Sequence, residues 1–421
     1  MKRNDDNKTT RTVTIQPAPW PAIDEEMIQS VVRVMREEDL SPVGQIGIIK
    51  EFEDNFARYQ GRKHAFAVNS GTASLDIALH ASGVGPGDEV IVSPYTWGAT
   101  VGCILQNNAI PVFADIDPLT FDMRPDAIAK NITPHTKAIV AVHIYGHPCD
   151  MEPIMQIARK HNLKVIEDCA QAHGATYKGK RVGSWGDFGC FSIQASKNLI
   201  GGEGGIFVFD DDGLFEEVVL WGSHPIRQLM ELQDRPLGKY IDSIAPNFRM
   251  HPLSAAIANI QLKHLDEWVA QRQKNLEYLT RQISDIPGIK PTYIQPGCTH
   301  AVHMVPLTYD ANELNNVPLE KFQNALALEG VENRSYVGTP IHLRPRFQEH
   351  RFWGKGCPWT CGHAGRLMEY KKGDCPVAEK RCSGEELILP SVGFHVECRD
   401  YLDQIANAFK KVVNAALAGK L

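Results

Sequence analysis

The chain has 421 residues, 43% of them hydrophobic, and a formal charge of −6. Acidic and basic residues are interspersed without a long basic block, so nucleic acid and membrane surfaces are not expected partners. No apolar run approaches the ~18–20 residues of a membrane span, and the polar N-terminus MKRNDDNKTTRT lacks a signal-peptide core, which predicts a cytoplasmic protein.

The length suits two domains. Residues 1–15 read as a mobile tail, 16–265 as a large domain, and 266–421 as a smaller one carrying an insertion at about 344–383. Seven strands are predicted in the large domain: HAFAVNS (64–70), EVIVSP (89–94), IPVFADI (110–116), KAIVAVHI (137–144), KVIEDC (164–169), FGCFSI (188–193) and GGIFVF (204–209). Several are almost unbroken apolar runs, as expected of strands covered on both faces. Between them TASLDIALHASG, TVGCILQNNA, PDAIAKNI and MEPIMQIARKHN have helical spacing. The alternation predicts an α/β fold with a wound, mostly parallel sheet.

Beyond residue 250 the pattern changes. The stretch from His251 to Ser284 reads as one long helix or two, with Pro252 suited to a first turn. A smaller α/β unit follows, with the strand AVHMVPLTY, the helix LEKFQNALALEG and a final helix RDYLDQIANAFKKVVNAALAG. Residues 344–383 show no clean period and read as an ordered insertion near the surface. Ten cysteines are scattered from Cys103 to Cys398, and without a secretion signal they are expected to be free thiols. Cys357, Cys361, Cys375 and Cys382, with His363 nearby, do not have a paired zinc spacing, so no metal is expected.

Four features fall at predicted strand ends, where wound sheets place their ligands. The segment Asn69-Ser70-Gly71-Thr72-Ala73-Ser74 joins a strand to a helix, and reads either as a turn with a cap or as an anion cradle. Trp97 follows EVIVSP and either packs in the core or stacks on a flat heterocycle. Asp168 and Gln171 follow KVIE. The aspartate either caps a helix or holds a pyridine nitrogen protonated, so that the ring accepts electrons. Finally, Ser192 and Lys197 precede Gly201-Gly202-Glu203-Gly204-Gly205. Most lysines are solvated, but one flanked by a hydroxyl and by glycines that allow close backbone approach could form a Schiff base with an aldehyde cofactor.

Together the motifs NSGTASLDIAL, DEVIVSPYTWGAT, VIEDCAQAHGA, GSWGDFGCFSIQASKNLIGGEGG and NFRMHPLSAAIANIQL closely resemble the DegT/DnrJ/StrS sugar aminotransferases of pyridoxal-phosphate (PLP) fold type I, from about residue 20 to the C-terminus. The resemblance implies that Lys197 carries PLP and moves the proton, Asp168 pairs with the ring nitrogen, and Gln171 bonds the ring hydroxyl. It also implies that Trp97 stacks on the ring and that Gly71, Thr72 and Ser192 hold the phosphate. Asn247 is similar to an asparagine that reaches the phosphate of a neighbouring subunit, which implies a homodimer with shared active sites and an arm at residues 222–245. The stretch GCPWTCGHAGRLMEYKKGDCPVAEKRCSGEELIL resembles that of glutamine-dependent keto-cyclitol aminotransferases, which make aminocyclitols for aminoglycoside antibiotics. Those enzymes tend to carry paired histidines where this chain reads Leu389-Pro390-Ser391-Val392-Gly393-Phe394. The expected reaction moves an amino group from L-glutamine or L-glutamate to a keto-cyclitol or keto-sugar, with a nucleotide-linked keto-sugar as the alternative acceptor. Lys197 argues against the dehydratases of this fold, which replace the lysine, and against a non-catalytic PLP-binding regulator. His143, Tyr145, Arg249 and His342 are candidate substrate contacts.

Overall fold

The apolar runs of the first half become one seven-stranded sheet in a computed structural model that describes residues 11–421. Its strands are β1 (His64–Val68), β2 (Glu89–Val92), β3 (Ile110–Phe113), β4 (Thr136–Val142), β5 (Lys164–Asp168), β6 (Phe188–Ser192) and β7 (Gly205–Phe209). They lie in the order β1-β7-β6-β5-β4-β2-β3. The pairs β2–β3, β2–β4, β4–β5 and β5–β6 are parallel, while β7 is antiparallel to both β6 and β1. Six strands therefore run the same way, and their C-terminal ends share one edge of the sheet. Val90 and Val92 enter one apolar cluster and Ile91 another, so both faces are covered, as the unbroken apolar runs require. Most strands stop one to three residues before their predicted ends, because the last residues turn out of the sheet towards the site.

A second sheet of three antiparallel strands joins β8 (Ile289–Lys290), β9 (Met304–Tyr309) and β10 (Glu386–Pro390), with β9 in the middle. Leu307 and Tyr309 from this sheet pack with Phe322, Leu402 and Phe409 from the helices Leu319–Leu328 and Arg399–Leu417. The helix Pro252–Ile283 links the two sheets. It is one helix of 32 residues, with Pro252 in the first turn and the His251 side chain accepting from the Leu253 N–H.

The boundary expected at 265/266 lies within this helix: Leu265 and Val269 pack in a core beside the large sheet, and Leu276, Leu279 and Ile283 in the second core. Other expectations change. Residues 1–10 of the expected tail lie outside the described residues. Thr12 to Ile15 are anchored: Thr12 bonds the Glu329 carboxylate, and the Thr14 and Ile15 N–H groups share the Gln404 side-chain oxygen. The insertion at 344–383 packs against the large sheet. Trp353 Nε1 donates to the Leu105 carbonyl at 2.8 Å and the Tyr370 hydroxyl to that of Pro111 at 2.8 Å, while Trp359 is fully buried. Aperiodic sequence concealed this core contribution, because its apolar groups are set by contact with β3 and not by helix or strand spacing. The helices Glu25–Glu37, Ile48–Gln60, Asp212–Gly222 and Pro225–Leu232 are not among the expected elements. Asp24 capping the Met27 N–H, followed by Glu25 and Glu26 in the first turn, was a readable start signal for the first. Among the described residues, no helix is long and apolar enough to cross a membrane.

Candidate active site

Three backbones converge at the shared edge of the sheet. The helix Gly71–Ala81 starts where β1 ends, with Ser70 accepting from the Ala73 N–H at 3.0 Å. The N–H groups of Gly71 and Thr72, ahead of that capped one, are donors that a helix start leaves available to an anion. A Cβ on Gly71 would stand 2.7 Å from Cβ and 3.0 Å from Cα of Ser192, at the end of β6. A Cβ on Gly205, the first residue of β7, would stand 2.4 Å from the Ser70 carbonyl. Glycine is needed at both positions for close approach. A phosphate cradle of backbone N–H groups and the Ser192 hydroxyl fits this geometry. Gly71→Ala should cost about 1–3 kcal/mol of stability by overpacking. It should also weaken PLP binding about tenfold or more, a change of roughly 1.4 kcal/mol or above. Thermal unfolding and PLP titration check the two effects separately.

Lys197 lies in the turn after β6, half-buried, with its carbonyl accepting from Trp20 Nε1 at 3.0 Å. Burial lowers the pKa of its amine, and the negative charge of nearby Asp168 opposes part of that shift. The Asp168 carboxylate is buried at the end of β5 and accepts from the Thr100 hydroxyl at 2.7 Å and the Ala170 N–H at 3.1 Å. An oriented carboxylate near a partly desolvated amine suits a cofactor with a protonated ring nitrogen at one end and an aldehyde at the other. Gln171 is buried beside them; its Oε1 accepts from the Tyr145 N–H at 2.7 Å and its Nε2 donates to the Tyr336 hydroxyl at 2.8 Å. Trp97 is 63% exposed, which removes the core-packing reading, and its ring lies 6.3 Å from that of Tyr336. Lys197, Asp168, Gln171, Trp97, Gly71, Thr72 and Ser192 thus gather at one edge of the sheet, as expected from their strand-end positions.

The candidate substrate contacts do not all join them. His143 has no exposed surface: Nε2 pairs with Glu167 at 3.1 Å, and Nδ1 accepts from the Cys149 N–H at 3.0 Å. Glu167 and Asp168 are successive strand residues and point to opposite faces, so His143 follows Glu167 away from the site. Glu167 also accepts from the N–H groups of Gly183, Trp185 and Gly186. Burial would raise its pKa, but His143 and these N–H groups more than offset that and lower it. His342 is likewise buried, pairing with Glu379 at 3.0 Å beside Phe113 of β3, three strands from Asp168. Tyr145 is buried and touches the site through its backbone N–H; its hydroxyl bonds Tyr95 and Glu386. Arg249 bridges Val68 and, with His224 and Asn247, lines a cavity of about 250 Å³ beside β1. Asn247 is exposed, and its carbonyl accepts from the Asn69 side chain at 3.3 Å.

Sequence reasoning missed Thr100, Tyr336 and His303. Thr100 stands four residues after Thr96, on the first turn of the helix Gly98–Gln106, but nothing in the sequence ties it to Asp168. Tyr336 comes from the second unit; burial first and the Asp168 charge next raise its phenol to about 12. His303 is buried near Lys197, and burial together with that positive charge holds its imidazole well below the usual range.

Known proteins resemble the chain over most of its length. The L-glutamine:2-deoxy-scyllo-inosose aminotransferase of Streptomyces kanamyceticus is 37% identical over 339 residues, covering 78% of each chain. The GDP-perosamine synthase of Caulobacter vibrioides is 37% identical over 332 residues, covering 78% of this chain and 85% of its own. The solved structure of an aminotransferase from Psychrobacter cryohalolentis superposes with a TM-score of 0.80 at 30% identity, covering 94% of this chain and 98% of that one. The model of the DegT/DnrJ/EryC1/StrS aminotransferase family matches residues 21–392, so the chain belongs to that family and is a PLP-dependent aminotransferase of fold type I.

Proposed function

We propose that the enzyme moves an amino group from L-glutamine or L-glutamate onto the ketone of a keto-cyclitol or keto-sugar. The observation that carries this reading is Lys197, a half-buried amine with a lowered pKa, set beside Asp168 at the mouth of a glycine cradle. PLP, when bound, supplies an electron sink and carries the amino group between the two substrates. Lys197 would hold the cofactor through its aldehyde and would move the proton at the reacting carbon of the substrate. Asp168, oriented by Thr100, holds a proton on the ring nitrogen. Gly71, Thr72 and Ser192 hold the phosphate, and Trp97 covers the ring. The likeness to the 2-deoxy-scyllo-inosose enzyme supports a cyclitol acceptor, while that to GDP-perosamine synthase supports a nucleotide-linked keto-sugar as the second reading.

The proposed working form is a homodimer with shared active sites. Ile226, Leu229, Met230 and Ile244 stand 46%, 50%, 56% and 82% exposed on and beside the helix Pro225–Leu232, an apolar surface suited to a second copy. Asn247, which follows this surface in the chain, is exposed, and in this reading it reaches the phosphate of the neighbouring subunit. We also assign the enzyme to the cytoplasm, in keeping with its ten free cysteines.

Absorbance of the PLP-loaded protein tests the reaction. The cofactor band should bleach on adding L-glutamine or L-glutamate and return on adding the correct ketone. A panel of scyllo-inosose, free keto-hexoses and nucleotide-linked keto-sugars distinguishes the acceptors. Recovery with nucleotide-linked sugars alone would replace the cyclitol reading, and a band indifferent to every amino donor would overturn the proposal.

A further inference from the structure

Glu386, the first residue of β10, has no exposed surface, yet five donors converge on its carboxylate. The Tyr95 hydroxyl donates to Oε1 at 2.7 Å, and the Tyr145 hydroxyl lies 3.2 Å from the same oxygen. The N–H groups of Tyr336 and Val337 reach Oε1 at 2.9 and 2.8 Å, and that of Gly338 reaches Oε2 at 3.1 Å. The two phenols are also 2.7 Å from each other, so two protons serve a triangle of three oxygens. A carboxylate this buried is tolerated only when donors replace its water, and here they do. The donors come from both units of the molecule: Tyr95 and Tyr145 from loops after β2 and β4, and residues 336–338 from the segment after the helix Leu319–Leu328.

Two partners of Glu386 are also the two partners of Gln171. Tyr145 gives its N–H to Gln171 Oε1, and Tyr336 takes a hydrogen from Gln171 Nε2. A backbone N–H can only donate, so the oxygen of the Gln171 amide must face Tyr145 and its nitrogen must face Tyr336. Tyr145 makes its contact from a left-handed backbone with φ of 58°, a conformation that a bulky residue keeps only when its surroundings hold it. Glu386 supplies that hold at the Tyr145 hydroxyl, directly and through Tyr95, and holds the Tyr336 backbone at the other end. One hydrogen of Gln171 Nε2 is spent on Tyr336, and the second remains for the cofactor.

We propose that Glu386 is a positioning residue: by fixing Tyr145 and Tyr336 together, its buried carboxylate orients the Gln171 amide so that its remaining N–H donates to the PLP ring oxygen. This rests on the reading that PLP sits on Lys197 with Gln171 beside that oxygen. A hydrogen bond to the ring oxygen competes for the proton that this oxygen shares with the Lys197 nitrogen. Losing it should let the proton bind more tightly.

The test is the pH titration of the visible absorbance of the PLP-loaded enzyme, with borohydride reduction and peptide mapping to locate the cofactor. Gln171→Ala should raise the midpoint by about one pH unit, the scale of one charge-assisted hydrogen bond. Glu386→Gln should raise it by at least half as much, because an amide's N–H groups would face donors in place of an acceptor. Adding Glu386→Gln to Gln171→Ala should produce no further shift. Tyr336→Phe removes only the hydroxyl and should move the midpoint the same way, so it keeps the test decisive if Glu386→Gln does not fold. Wild-type midpoints in Glu386→Gln or Tyr336→Phe, with Gln171→Ala shifted, would overturn the role of Glu386 alone. An unshifted Gln171→Ala, or cofactor mapped away from Lys197, would overturn the underlying reading as well. A purely structural Glu386 would lower the unfolding temperature and leave the midpoint where it was.

Discussion

Lys197→Ala is expected to lower turnover by about 10³-fold or more, the upper part of the range for a group acting in proton transfer, with loss of the covalent link added to it. The side chain is half-buried, and no salt bridge among the described residues depends on it, so the fold should survive. Burial lowers its pKa, and Asp168 opposes part of that shift, so the neutral nucleophilic amine is more abundant near neutral pH than on a solvated lysine. Lys197→Arg separates charge from nucleophile. It keeps a cation facing Asp168 but cannot form the imine, and it should be as inactive as the alanine variant. Single-turnover kinetics of the donor half-reaction, with mass measurement after borohydride reduction, checks both. Small primary amines should restore part of the activity of Lys197→Ala by entering the vacated volume, and should do nothing for Lys197→Arg. Turnover within tenfold of wild type in either variant would remove Lys197 from the chemistry.

Acidification should produce the second large effect. His173 and His300 are fully buried and His303 nearly so. Burial, with the Lys197 charge next in weight, pushes His173 down to about 3. Burial, followed by neighbouring positive groups, holds His300 and His303 well below their ordinary value of 6.5. In the unfolded chain these imidazoles take up a proton as pH falls through 6.5, while in the folded protein they stay neutral. Their contribution to stability is therefore present above 6.5 and is lost progressively between 6.5 and about 3. From pH 7 to 5.5 each such histidine costs about 1.3 kcal/mol, about 4 kcal/mol for three. Asp76, raised to about 6 by burial, works in the opposite sense and offsets a part of this. A loss of this size is a large share of the roughly 5–15 kcal/mol that stabilises a typical domain. Urea unfolding at the two pH values measures it. His300→Asn keeps an acceptor for the Val302 N–H, which now reaches His300 Nδ1 at 2.8 Å. That variant should recover about one third of the pH-dependent loss, and an unchanged dependence would place the effect elsewhere.

The proposed cofactor cradle and the Glu386 network both stand at the C-terminal edge of the large sheet. Gly71 and Ser192 are adjacent there because β1 and β6 flank β7, so residues 121 positions apart become neighbours. Cofactor affinity and ring orientation are therefore expected to depend on the same few backbones. This explains why Tyr336, far from the cradle in sequence, stands between Trp97 and Gln171.

The sequence by itself determined the sheet, because strands buried on both faces must be written as apolar runs, and those runs survive without knowledge of their neighbours. It also determined which residues stand at strand ends, and hence Lys197, Asp168, Gln171 and the Gly71 turn, because polar groups that close an apolar run can only emerge at the edge. Tertiary structure decided the rest. Whether His143 faces the site or Glu167 depends on strand parity and on a pairing 24 residues away. Whether the insertion forms surface or core depends on where it meets β3. Glu386 looks like any other acidic residue near a strand start until five donors from both units close around it. Periodicity records which face of an element is buried, but the partner a buried polar group finds is set by chain packing at long range.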